Sequence, residues 1–239
     1  HPNVFGGYLA VGTLLTVWIS SQEKKWLWRV IAAILALVLV LTFSRSAWLG
    51  LVVAGCYLAY EAWKTGTVRP LLKAWSLPAI AIILTSLCFF GAIATRTFQG
   101  GEAPLEHRSV SERVTGYHEA VSLILRHPFA GVGIGAYTSA LSEVRPDEPS
   151  WSYQPVHNTL LLILVELGPL GLIAFLWWMR SVLNPHTPVN KKEAVMGHAL
   201  LLALLIPFLF DHYLFSGWWG ISLAIFTIAF ALRFFLAEE

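Results

Sequence analysis

His157 and Asn158 stand where a long apolar run begins, and their order invites chemistry. Pro155 holds the preceding Gln154 extended, and Asn158 can cap a helix starting at the next residue. His157 is thereby set at a helix N-terminus, whose partial positive charge and free N–H groups favour an anionic ligand and a neutral imidazole. Near neutral pH such an imidazole can act as a general base. A polar cap in a wet interface is the plainer reading of the same pair. Arg45, in the turn Phe43-Ser44-Arg45-Ser46-Ala47, lies between two long apolar runs with little but serine beside it that is polar. Two readings fit it: an interfacial anchor, or an anion clamp whose guanidinium takes phosphate oxygens in a two-pronged grip. Arg113 lies beside Glu112 early in a predicted loop helix, where a solvated surface charge is the ordinary reading, as it is for Arg108 and Arg126.

Asp211-His212-Tyr213 ends another apolar run and can either bind substrate or orient a turn. Glu166 lies mid-run, just before Gly168-Pro169, a pair expected to kink a helix. An intramembrane carboxylate is a functional suspect, though Glu166 could equally be protonated and bonded to a neighbouring helix. Gly131, Gly133 and Gly135 form a G-x-G-x-G run that follows no strand, so it reads as a tight backbone turn and not as a dinucleotide fingerprint. The acidic residues show neither D-x-D nor H-E-x-x-H spacing, so neither a metal nor another cofactor is expected.

These residues need elements to hold them, and composition says which kind. Of 239 residues, 56% are hydrophobic and only 13% charged, with mean hydropathy +0.65. Soluble domains carry roughly 25% charged residues, so lipid must cover much of this surface. The net charge of +2, with no basic run, argues against nucleic acid. Cys56 and Cys88 fall inside apolar runs and read as small hydrophobes. The expected fold is an all-α polytopic membrane protein with about seven transmembrane helices: Val4–Ile19, Leu27–Phe43, Ala47–Trp63, Trp75–Ala94, Asn158–Trp178, Ala194–Phe210 and Gly217–Leu236. Ten of the eleven Trp lie near the ends of these runs, where an amphipathic indole prefers to sit. The chain opens on His1 and is read as a single membrane domain, 1–239, forming the C-terminal part of a longer protein.

Lysine sets the sidedness. Lys24, Lys25, Lys64, Lys73, Lys191 and Lys192 all fall in connections that alternate topology puts on one face, which the positive-inside rule makes cytoplasmic. The opposite face carries one large extracytoplasmic loop, Thr95–His157, together with Arg45 and Asp211-His212. Within the loop, Ser109 and Glu112 have the S-x-x-E spacing of a capping box, predicting an amphipathic helix over Ser109–His127. Its apolar stripe (Val110, Val114, Tyr117, Val121, Ile124, Leu125) suits the membrane surface or the ends of the spans.

Taken together, the motifs resemble the membrane domain shared by O-antigen ligases and O-antigen polymerases. His1-Pro2-Asn3-Val4-Phe5-Gly6-Gly7-Tyr8 is similar to its opening, and Ser44-Arg45-Ser46-Ala47 to its S-R-x-A element. Ser111-Glu112-Arg113 through His127-Pro128-Phe129-Ala130-Gly131-Val132-Gly133 resembles its loop helix and H-P-x-x-G-x-G run. His157-Asn158 with Glu166-Leu167-Gly168 resembles its H-N…E-x-G element. The resemblance implies a GT-C-like fold and a metal-independent, inverting glycan transferase in the plasma (inner) membrane. Its active site would lie on the extracytoplasmic face. A glycan would pass from an undecaprenyl-diphosphate carrier to an acceptor hydroxyl on a glycan, lipid or protein. His157 would match the catalytic base and Arg45 and Arg113 the diphosphate ligands. Asn158, Asp211 and His212, singled out by their own setting at the span ends, complete the expected substrate-binding set. A polysaccharide polymerase of the same superfamily and a small-anion, bicarbonate-type transporter are the alternatives.

Overall fold

The computed structural model describes residues 1–23, 25–98, 104–183 and 191–236. Lys24, used above for sidedness, lies outside the described residues, as do residues 99–103 of the large loop and the side chains of Arg108, Lys191 and Lys192. Among the described residues the chain is all-helical. In order, the helices are α1 (Pro2–Glu23), α2 (Trp26–Leu41), α3 (Arg45–Lys64), α4 (Val68–Cys88), α5 (Phe90–Phe98), α6 (Pro104–Arg126), α7 (Tyr137–Val144), α8 (Thr159–Leu183), α9 (Lys191–Phe210), α10 (Tyr213–Ser216) and α11 (Trp218–Leu236). Among the described residues, five segments are long and apolar enough to cross a membrane: Pro2–Glu23, Val68–Cys88, Thr159–Leu183, Glu193–Phe210 and Trp218–Phe235. α2 is apolar but has 16 residues, a rise of about 24 Å against a hydrocarbon core of roughly 30 Å. α3 has 20 residues but carries Arg45, Glu61 and Lys64 near its ends.

The helices fall into two compact units. The first contains α1 to α4 with most of α9 and α11. There α1 packs on α2, α3 and α4. Small residues make the contacts: Gly6, Ala10, Ala32, Ala36, Ala47, Ala54 and Ala74 are buried, as expected where helices associate by close backbone approach. A Cβ at Gly6 would stand 2.8 Å from the Ser44 Cβ and 3.0 Å from the Ala47 Cβ, so glycine is what lets α1 reach the start of α3. Arg45 opens that helix, immediately after the extended and buried Ser44; the residue read from sequence as part of a turn is thus the first of a helix. Large apolar side chains on α2 to α4, including Ile34, Val52, Ile80, Ile83 and Leu87, face outward, as lipid contact requires.

The second unit holds α6, α7 and α8 with the Phe208–Ile221 connection. Ala120 and Leu123 of α6, Tyr137 and Leu141 of α7, Val156, and Leu162 and Val165 of α8 form its core. The loop helix departs from expectation in two ways. It begins at Pro104, five residues before Ser109, so Ser109 and Glu112 lie inside the helix and form no capping box. Proline is well suited to a first helical position, because its φ is already helical and its missing N–H would be unbonded there. The helix also has a second apolar face. Gly116, Ala120 and Leu123 turn inward. Val110, Val114, Tyr117, Val121 and Leu125 of the predicted stripe remain exposed, whereas its sixth member, Ile124, packs against the core.

Candidate functional site

Everything gathered at this site belongs to the second unit. Asn158 caps α8: its Oδ1 accepts the Leu161 N–H at 2.9 Å, the N3 contact of a capping asparagine. Val156 is anchored in the core, so His157 is held between a fixed residue and a fixed helix end. From the end of α9, Asp211 approaches the same point. It is only 2% exposed, and its Oδ1 lies 3.3 Å from His157 Nδ1 while accepting the His212 N–H at 2.9 Å. Thr159 locks the two segments by donating its hydroxyl to the Asp211 carbonyl at 2.7 Å.

The charge states follow from these contacts. Burial pushes the Asp211 carboxyl up, but the hydrogen bond and charge of His157, the charge of His212 and the His212 N–H outweigh it and hold the group below its usual range. An ionised carboxylate only accepts, so the proton between the two residues sits on His157 Nδ1, and in the neutral form of the ring the lone pair is on Nε2. His212 packs edge-on to His157 with ring centroids 5.1 Å apart. Burial, opposed by Asp211 and reinforced by His157, lowers the His212 imidazole to about 4, so it is neutral at neutral pH. Ser216 donates its hydroxyl to the His212 carbonyl at 3.1 Å and lies 2.6 Å from His212 Nδ1, which places the ring proton on that nitrogen.

This arrangement has a measurable pH signature. A histidine whose folded pKa is depressed contributes stability that is full above its ordinary value of 6.5 and is lost as pH falls from there towards about 4. Asp211 is depressed below 3.8, so its contribution disappears only below that window. The melting temperature of the detergent-solubilised protein is expected to decline between pH 6.5 and 4, and less steeply in a His212→Gln variant. Equal slopes would mean that His212 is not held neutral by the fold.

Arg113 Nη1 donates to the Phe210 carbonyl at 3.2 Å, which ties this side chain to the residue before Asp211. Its Nε is buried with no hydrogen-bond partner among the described residues. Arg113 is therefore not the solvated surface residue its sequence setting suggests. Of the expected site residues, His157, Asn158, Asp211, His212 and Arg113 come together, whereas Arg45 belongs to the first unit, where it is exposed. His157, Asp211 and His212 each offer a ligand atom, all within 4.8 Å of one another, so a cation could bridge them. It would compete with the contacts that already occupy both Nδ1 atoms.

Sequence reasoning left open what Glu166 does. Pro169 has no N–H, so the Val165 carbonyl loses its helical partner, and the turn at Gly168 (φ 68°) frees the Glu166 carbonyl too. The glycine run replaces both donors: the N–H groups of Val132 and Gly133 reach the carbonyls of Val165 and Glu166, each at 2.9 Å. The Glu166 carboxylate then accepts the N–H of Gly135 at 2.8 Å and of Tyr137 at 3.4 Å. Its partners are the glycine loop and the first N–H of α7. The signal that could have suggested it is the proline itself, which leaves an acceptor in search of a donor.

A cleft of about 160 Å³ opens beside His157, between the inner edge of α6 and the segment that follows α7. Glu119 and Arg145 form an ion pair in its wall, and Arg145 also reaches Glu148 at 3.0 Å. Burial holds the Glu119 carboxyl above its usual range, although Arg145 pulls it down.

A helical membrane domain carrying a carboxylate-oriented imidazole with an arginine beside it is the class that these observations define. The sequence profile of the O-antigen ligase family matches residues 30–176, and the chain belongs to that family. It is similar to the O-antigen ligase of Salmonella typhimurium, at 26% identity over 80% of this chain and 48% of that protein. It is also similar to the general O-oligosaccharyltransferase of Acinetobacter baylyi, at 26% identity over 84% of this chain and 39% of that protein. The chain thus spans less than half the length of these relatives. No solved structure matches it.

Proposed function

We propose that the protein is a metal-independent, inverting glycan transferase of the inner membrane. It moves an oligo- or polysaccharide from undecaprenyl diphosphate to an acceptor hydroxyl on the extracytoplasmic face. The observation that carries this reading is the His157–Asp211 pair at the capped start of α8. His157 Nε2 takes the acceptor proton, the acceptor oxygen bonds to the anomeric carbon, and the carbon–oxygen bond to the diphosphate breaks. The electron pair leaves with undecaprenyl diphosphate, and attack opposite the leaving group inverts the configuration. Arg113 and Arg45 bind the diphosphate and offset the charge that grows on it. Seven spans in one GT-C-like membrane domain, with 95–157 as the extracytoplasmic loop, complete the proposal and agree with the lysine distribution.

The names of the two relatives, a ligase and an oligosaccharyltransferase, support transfer to a different class of acceptor over chain polymerisation. An anion transporter needs ionisable groups at mid-membrane. Glu166 was the strongest candidate for that role, and its carboxylate is engaged by backbone N–H groups.

Membrane vesicles test both the reaction and its face. Full-length protein is placed in vesicles with an undecaprenyl-diphosphate glycan, and a soluble, membrane-impermeant acceptor is added from outside. Right-side-out vesicles are expected to glycosylate it with inversion and equally well in EDTA, and inside-out vesicles are expected not to. The opposite vesicle preference would reverse the topology, and a chelator-sensitive reaction would mean that His157, Asp211 and His212 hold a metal.

A further inference from the structure

We propose that the cleft beside His157 is a subsite for a single sugar ring of the acceptor, with Trp151 as its stacking platform. This rests on the transferase reading above and adds where the acceptor binds. The lining is unlike that of a lipid groove: Glu112, Glu119, Arg145, Trp151, Gln154 and His157 all border it. Its volume of about 160 Å³ is below the roughly 300–1,000 Å³ of sites for drug-sized ligands, which suits one ring and not a chain of them.

Each part of the lining matches a part of a pyranose. Trp151 is 65% exposed, and an indole face packs against the C–H face of a sugar through dispersion and the ring's negative quadrupole. Carboxylates accept from hydroxyls, a carboxamide does both, and a guanidinium donates to ring or hydroxyl oxygens. A diphosphate would find a poor home here, because two carboxylates border the cleft and its one arginine is already paired with Glu119 and Glu148. The neutral acceptor therefore fits better than the donor's headgroup.

The platform is also built in advance. Tyr153 donates its hydroxyl to the carbonyls of Glu148, at 2.9 Å, and Arg145. The Ser152 hydroxyl donates to the Pro149 carbonyl at 2.7 Å, and the Gln154 amide to the Trp151 carbonyl at 3.3 Å. Pre-ordering the segment reduces the entropy lost on binding. His157, proposed as base, and Trp151 both border this cleft, so a ring seated on the indole has a hydroxyl within the same cleft as the imidazole.

Saturation-transfer NMR on the full-length protein in detergent, probed with methyl glycosides of glucose, galactose, mannose and N-acetylglucosamine, tests this without any turnover. At least one glycoside is expected to bind the native protein, about tenfold more weakly to Trp151→Ala, and with most affinity retained in Trp151→Phe. Binding of undecaprenyl diphosphate should be unchanged in both. No glycoside binding to the native protein, or equal binding to Trp151→Ala, overturns the subsite. In the transfer assay Trp151→Ala should raise the KM for acceptor about tenfold while the KM for donor stays fixed. A raised donor KM would assign the cleft to the donor sugar and overturn the proposal. If glycosides bind as expected but the native protein transfers nothing, the subsite stands and the transferase reading falls.

Discussion

Glycan transfer by a His157→Ala protein is expected to fall by about 10²–10⁴-fold, the usual contribution of a positioned general base. Binding of the lipid-linked donor should survive, because arginines are proposed to hold the diphosphate and none of that needs the ring. Asp211 supplies the sharper comparison. Its carboxylate is buried and lies 3.3 Å from the Nδ1 of His157, so it acts on the reaction only through the orientation and tautomer of that ring. Asp211→Asn keeps the shape but presents an amide that can donate to Nδ1, which would move the ring proton to Nε2 and remove the base. The expected loss is again about 10²-fold or more, carried in kcat with the KM values little changed. Combining the two substitutions should cost scarcely more than His157→Ala alone, because residues acting as a unit are not additive. If Asp211→Asn transferred normally while His157→Ala did not, the pair would be a structural contact and not a catalytic one. If both transferred normally, His157 would be reduced to a residue beside a helix cap.

What could be read in the sequence was local, and what could not was remote. Pro155, His157 and Asn158 are neighbours, so a helix start and an imidazole beside it were legible, and Asn158 does cap α8. Asp211 is 54 residues from His157, and no periodicity links them. The pair Asp211-His212 was visible as polar residues ending a run, but which group it would orient was not. Hydropathy likewise found the outward stripe of α6 and overlooked the buried face, because Gly116 and Ala120 bury well and score weakly. Ser109 and Glu112 had the right spacing for a cap, but a local motif cannot tell whether an earlier residue has already started the helix, as Pro104 does. The apolar runs gave the helices their approximate places; α2 ends at Leu41, two residues inside the expected run. Arg113 looked like a surface charge because its partner, the Phe210 carbonyl, is 97 residues away.

The glycines that join the loop to α8 allow a prediction in which conformation and packing separate. Gly131, Gly135 and Gly168 have φ of 69°, 70° and 68°, so alanine is strained at all three, by about 1–2 kcal/mol at a left-handed position and by up to about 3 kcal/mol at Gly168, whose ψ of −177° lies in a region nearly confined to glycine. Their surroundings differ. A Cβ at Gly135 would meet nothing within 4 Å, whereas at Gly131 it would stand 2.5 Å from the Glu166 carbonyl carbon and oxygen. At Gly168 it would fall on the Phe129 carbonyl. Those obstacles are backbone atoms within the paired segment, so neither can swing aside as a side chain would. Gly135→Ala should therefore lower stability by about 1–2 kcal/mol, and Gly131→Ala and Gly168→Ala by about 3 kcal/mol or more each. Gly131→Ala and Gly168→Ala break the same pairing, so the double variant should lose less than the sum. Glu166→Gln is expected to resemble the severe pair more than Gly135→Ala, because one oxygen is replaced by a donor facing the N–H groups of Gly135 or Tyr137. Thermal melts in detergent give the ranking, and transfer assays below each melting point show whether the loss reaches His157 at the start of the same helix. Equal destabilisation at Gly131 and Gly135 would mean that only the turn geometry matters and that the loop does not press on α8.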